Sequence, residues 1–255
     1  MQVRKSILIF IILAVSLTSY FNTLFAHFVW DDNTFIIHNP YLKSFRFLPK
    51  FFVEDFWSVG IQKIASGYYR PFLAISFMFD YLLWRAKPFG YHLTNLILHI
   101  LVSILVFLFL EILLKRRLIS FFSSLVFSAH PIHTESVSFV SGRVDLLPLI
   151  FFLLSLIFFL KYTLNKRFFL YLFSLACFFL SLLAKEMAIT LPLIVLCVDY
   201  LFLSKQKLKG VIKNFRRFHL GFFVILGLYL LMRFYFIGWS FILGKTHYYS
   251  NFLPG

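Results

Sequence analysis

Long apolar runs, broken by short basic or polar clusters, organise this chain. Val3-Arg4-Lys5 is followed by an apolar run over 6–26, close to the ~20 residues that a helix needs to cross a bilayer. A signal peptide would have a shorter apolar core and a small-residue cleavage site. The run is therefore read as an uncleaved first span with its basic start in the cytoplasm. Six more runs read as spans: 91–114, 119–140, 146–162, 168–184, 188–203 and 219–237. The third loses its apolar character early, at Ala129. Between the first two spans lies a long mixed segment, 27–90, with prolines at 40, 49, 71 and 88. Within it, Arg70-Pro71 opens an apolar stretch to Trp84 that is short for a span and rich in aromatics, which suits an interfacial helix. A crossing there would also put Lys115-Arg116-Arg117 on the opposite side from the other basic clusters. A polar tail, 247–255, closes the chain.

Composition strengthens the membrane reading. The chain is 61% hydrophobic, with a mean hydropathy of +0.87, well above the usual apolar share of soluble domains. Its net charge of +15 could suggest a nucleic-acid partner. The basic residues instead form short clusters between apolar runs, the pattern of the positive-inside rule, so no nucleic acid is expected; membrane lipids are the partners of those clusters. Cys177 and Cys197 lie in apolar runs and give no disulfide or zinc signature. There is no internal repeat. The expectation is an all-α integral membrane protein, a polytopic helical bundle of about seven spans in a single domain, 1–255. Its first extracytoplasmic loop, 27–90, carries interfacial helices. The Phe-rich, unrepeated chain points to a prokaryotic inner membrane rather than the endoplasmic reticulum.

With the basic clusters on one side, the unusual polar residues fall together on the other. Asp31-Asp32 leave the first span. As a plain motif they could be a solvated turn, or a general base or metal-binding carboxylate at the membrane surface. His130, His133 and Glu135 could mark a helix end broken by Pro131; ionisable groups at membrane depth also read as functional. Their spacing matches no standard zinc motif, so the metal stays unknown and a divalent cation is possible chemistry. Arg70, Arg143 and Lys185 are cations against the positive-inside trend. They pair with Asp145 and Glu186, or form an anion site suited to phosphate. Trp57, Tyr68, Tyr69 and Trp84 read as interfacial anchors.

Six motifs in order carry a resemblance: Phe28-Val29-Trp30-Asp31-Asp32; Tyr69-Arg70-Pro71-Phe72; Phe89-Gly90-Tyr91-His92-Leu93-Thr94-Asn95 running on to His99; Ala129-His130-Pro131-Ile132-His133-Thr134-Glu135; Gly142-Arg143-Val144-Asp145; and Ala184-Lys185-Glu186-Met187. Together they resemble the membrane region of the transmembrane and TPR-repeat-containing O-mannosyltransferases, of the wider GT-C class. The resemblance covers roughly 20–205. It implies transfer of a hexose, plausibly mannose, from a polyprenyl-phosphate carrier to a protein or glycan acceptor on the extracytoplasmic face. It also implies Asp31 and Asp32 as catalytic carboxylates and Arg70, Arg143 and Lys185 as donor-phosphate ligands. His130, His133, Glu135, Asp145 and Glu186 would shape the site. That family carries further spans and TPR repeats, absent from this sequence. A transporter would place its ionisable groups near the midplane on broken or repeated helices, which the pattern lacks. A non-catalytic membrane scaffold is the remaining alternative.

Overall fold

In lipid every backbone N–H and C=O must be satisfied within the protein, which leaves helices as the way for apolar runs such as these to fold. The computed structural model describes residues 4–57 and 67–238; the polar tail expected at 247–255 lies outside them. The described residues are helical, with no strand among them. Helix α1 spans Lys5–Tyr20 and runs on through a 3-10 turn, Phe21–Phe25. Short helical turns follow between residues 33 and 53; α2 is Pro71–Trp84 and α3 is Pro88–Leu114, both started by a proline whose missing N–H would have had no helical partner. Helix α4 spans Arg117–Ala129 and α5 spans Arg143–Asn165. Helix α6 is Phe168–Ala184. Helix α7, Leu191–Val198, is regular only between a 3-10 turn, Glu186–Thr190, and a wider turn, Asp199–Leu203. Helix α8 is Leu220–Ile237.

Among the described residues, five stretches are long and apolar enough to cross a membrane: Lys5–Phe25, Pro88–Leu114, Val140–Asn165, Glu186–Leu203 and Leu220–Ile237. The other two expected spans are the shorter helices α4 and α6. The run expected to cross as far as Val140 does not do so as one helix. It stops at Ala129, because His130 precedes a proline and takes an extended conformation (φ −69°, ψ 127°). The chain then folds back through Pro131–His133, Thr134–Ser138 and Val140–Gly142 before α5 begins. At 13 residues, α4 is about 20 Å long at 1.5 Å per residue.

Helices α5 and α6 form the central hairpin, with α3 against α5 and α1 against both α3 and α4. Lipid offers little hydrophobic drive between helices, so small residues and buried hydroxyls hold such contacts. Ser155 donates to the Ser174 carbonyl at 2.8 Å and Ser174 returns a bond to the Ser155 carbonyl at 2.7 Å. Ser124 on α4 likewise donates to the Ser103 carbonyl on α3 at 2.6 Å.

The two ends of the bundle differ. At one end α3 and α5 stop at Lys115 and Lys166, both left-handed (φ 55° and 56°) in the place where glycine usually ends a helix. There Glu111 accepts from Lys5 at 2.5 Å and from Arg117 at 2.7 Å. At the other end α2, the first loop and the 130–142 segment enclose a second core built on Phe35, Phe77, Met78, Tyr91 and Val140. Helix α2 is an integral part of that core. Tyr69, expected as an interfacial anchor, is fully buried against Tyr229 and Phe236.

Candidate functional site

A cleft of about 180 Å³ opens at the polar end. Its lining includes the rings of Phe35, Phe56, Trp57, Tyr68, Phe77 and Phe139 and the charged side chains of Asp31, Glu135, Asp145 and Arg70. Four of the residues singled out in the sequence therefore meet around one space, although they lie up to 114 positions apart (145 − 31 = 114).

The two aspartates part company. Asp31 faces the cleft, and burial followed by the neighbouring Asp32 charge pushes its carboxyl above the ordinary range. Asp32 is fully buried. Its Oδ1 accepts from the Ser141 backbone N–H at 2.9 Å and the Ser141 hydroxyl at 2.6 Å, and its Oδ2 accepts from the Val29 N–H at 3.1 Å. Trp30, just before the pair, is left-handed (φ 45°), a conformation a non-glycine residue holds only when its surroundings fix it.

The three expected phosphate ligands are placed differently too. Arg143 points away from the cleft. It is fully buried, and its guanidinium donates to Asn95 Oδ1 at 2.8 Å, to Ser76 O and Oγ at 3.3 and 3.4 Å, to the Tyr91 carbonyl at 3.2 Å, and to Asp80. All three guanidinium nitrogens thus have protein partners, and the fully buried group does not line the cleft. The physical reason is Asp80, a carboxylate buried on α2 that requires a counter-charge. Arg70 reaches the cleft but is held by Glu186 in a two-bond fork, at 3.0 and 2.6 Å, with its guanidinium over the Tyr68 ring at 4.1 Å. Lys185 donates to Asp145 at 2.5 Å. It also stands at the edge of a second, mainly apolar cavity of about 210 Å³, lined by Pro148, Leu149, Phe152, Met187 and Ala188. Asp145 borders both cavities.

Glu135 is exposed on the cleft wall and forms no ion pair among the described residues. His130 and His133 do not line the cleft. His130 Nδ1 accepts from the Ile132 N–H at 3.1 Å, closing the turn after α4, and its carbonyl accepts from Tyr20 at 2.6 Å. His133 packs on Phe127 (ring centroids 4.2 Å apart) and near His99 (5.6 Å). Burial, then the neighbouring His99 and His130, lowers its pKa below that of a free imidazole. Among the described residues no three His, Cys, Asp or Glu side chains gather so as to hold a metal ion.

Sequence reasoning passed over Asp80, Asn95 and Ser141. Asp80 is the lone acid in the apolar stretch 71–84. His92, Asn95 and His99, three and four residues apart on α3, put a polar stripe on one face of an apolar helix. All three are buried, and that spacing was the available signal.

The fold and this site define a polytopic helical membrane protein with a carboxylate-rich cleft at one end of its bundle. The comparison with known proteins is more specific. The chain is 40% identical over 157 residues to human protein O-mannosyl-transferase TMTC3, a match covering 61% of this chain and 17% of that protein. It is 32% identical over 222 residues to human protein O-mannosyl-transferase TMTC2, covering 84% of this chain and 27% of the relative. Protein O-mannosyl-transferase Tmtc1 of Drosophila melanogaster is 35% identical over 178 residues, covering 69% and 21%. Over these residues the chain is a homologue of the protein O-mannosyl-transferases. It spans about a quarter or less of the length of these relatives. No family model and no solved structure matches it.

Proposed function

We propose that this chain forms the sugar-transfer site of a protein O-mannosyltransferase. It moves mannose from a polyprenyl-phosphate carrier to a serine or threonine hydroxyl of a protein. One observation carries the reading: Asp31, which has no side-chain partner among the described residues, faces the cleft, and Asp145 borders both that cleft and a mainly apolar cavity edged by Lys185. Homology to proteins named for this activity supports it.

Asp31 accepts the proton of the acceptor hydroxyl, for which its raised pKa suits it. The freed oxygen attacks the anomeric carbon as the bond from that carbon to the phosphate oxygen breaks, and the lipid phosphate leaves with the electron pair. A single attack of this kind inverts the anomeric centre. Lys185 stabilises the charge on the departing phosphate once it exchanges Asp145 for it, and Arg70 adds a second positive charge nearby. Pro148, Leu149 and Phe152 receive the carrier chain. Asp32 and Arg143 take no direct part, since both are buried and fully bonded. The divalent cation weighed from the sequence finds no ready ligand set among the described residues, and no step here runs through one.

With the basic end in the cytoplasm, as the positive-inside rule requires, the cleft opens on the extracytoplasmic face and the N-terminus is cytoplasmic. The relatives named above come from animals, so the expectation of a prokaryotic inner membrane draws no support from them. The test is transfer of labelled mannose from polyprenyl-phosphate mannose to a protein acceptor by the membrane-embedded full chain. Asp31→Asn should abolish transfer; undiminished transfer removes Asp31 from the mechanism.

A further inference from the structure

The turn at Val140–Gly142 is fixed more firmly than a surface connection needs. Asn95, fully buried on α3, donates its amide to the carbonyls of Phe139 at 3.0 Å and Val140 at 3.2 Å, while its own oxygen takes Arg143 Nε at 2.8 Å. Gly142 brings the turn against the preceding segment so closely that an added Cβ would collide with the Glu135 carbonyl oxygen and come within 2.9 Å of Ser136 Cα. From this turn Ser141 directs its N–H and its hydroxyl at the same oxygen of Asp32. Asp32 is joined to the cleft-facing Asp31 by a single peptide unit.

We propose that Ser141, seated by Asn95, is a positioning residue for Asp31. It acts through Asp32 by fixing the acidic turn and keeping a negative charge directly behind the base. The proposal rests on the reading of Asp31 as the base. A buried carboxylate needs hydrogen-bond donors in place of its lost water, and Ser141 supplies two of the three that Asp32 has. Among the described residues the other charged or titratable neighbours are Tyr68, Arg70, Glu135 and Asp145 around the cleft, with His92 and Arg143 on the buried side of Asp32. The Asp32 charge adds to the proton affinity of Asp31, so Ser141 sets both the direction and the basicity of the carboxylate it never touches.

The test is the pH-dependence and saturation kinetics of mannose transfer from polyprenyl-phosphate mannose by the membrane-embedded full chain. Ser141→Ala should lower kcat at least about tenfold, as small misplacements of reacting groups do, with the donor KM within about twofold of wild type. Ser141→Thr, which keeps the hydroxyl, should restore kcat. Asp32→Asn removes the charge behind Asp31, so the acid limb of its rate profile should move to lower pH. An inactive Asp31→Asn together with wild-type kinetics for Ser141→Ala overturns the positioning role alone. An active Asp31→Asn overturns the base assignment and the positioning role with it. Should Ser141→Ala fail to fold, Asp32→Asn carries the test, and an acid limb coincident with wild type overturns the proposal.

Discussion

Arg70 and Glu186 meet edge to edge across 116 positions of sequence, with two parallel hydrogen bonds joining the start of α2 to the turn before α7. Both side chains are largely shielded, at 12% and 21% exposure. Planar matching of this kind needs the guanidinium fork, which lysine lacks. Glu186→Gln should destabilise the protein by about 2 kcal/mol, the usual worth of a hydrogen bond to a charged group. Arg70→Lys should recover only part of the loss, because it keeps the charge without the second bond. Thermal unfolding in detergent, comparing the two variants with wild type, measures both.

The buried pair of Arg143 and Asp80 should behave differently from this partly shielded one. Asp80→Asn leaves Arg143 charged, buried and without a counter-ion, which costs about 3–5 kcal/mol in comparable cases. Replacing both, as Asp80→Leu with Arg143→Met, should cost less than the single change. A double variant less stable than Asp80→Asn would mean that the pair contributes more than charge compensation. Denaturation midpoints of the three proteins decide it.

Asp31 should trade stability for reactivity. Its carboxyl holds its proton more tightly folded than unfolded. Ionising it above that range therefore penalises the folded state, and the penalty fades as pH falls through the raised folded value towards the unfolded one. Asp31→Asn should be slightly more stable than wild type at neutral pH and no more stable at acid pH, while losing transfer. Melting curves taken from pH 7 down to about pH 4, the ordinary carboxylate range, would show the gap closing. A gap that widened on acidification would contradict the burial of this group.

Lys185 should matter to the leaving group more than to the bundle, since its partner Asp145 is about half exposed and pairs open to water contribute ~0–1 kcal/mol. Lys185→Gln should leave the melting temperature nearly unchanged and lower kcat by about 10²–10³, the scale seen when one stabilising donor is lost. Equal kcat values would remove Lys185 from the phosphate site.

Much of this was legible in the sequence for one physical reason: an apolar run of about 20 residues has few other ways to satisfy its backbone. The apolar runs of α1, α3, α5, α6 and α8 gave those helices away, and so did the separation of basic and polar ends. Asp31, Arg70, Glu135 and Asp145 share a cleft because each lies where the chain leaves or enters the same end of the bundle. Arg143 was misread because a lone cation at a helix start looks the same whether it faces solvent or a buried partner. Its partner, Asp80, sits in another helix 63 positions away, and no local pattern couples them. His130 and His133 lie at the helix end that Pro131 marked in the sequence: His130 closes the turn after α4 and His133 packs on Phe127.

Trp30 carries a practical consequence. Its indole is 84% exposed, its ring meets Phe139 edge to face at 6.3 Å, and its backbone is bonded into the Asp31-Asp32 turn. Phe139 lines the cleft. Any molecule that enters the cleft or shifts that turn changes the surroundings of an indole already in contact with water. The protein thus holds a native fluorophore against a ring that lines its own site, and the difference in emission between wild type and Trp30→Phe offers an optical record of occupancy without an added label.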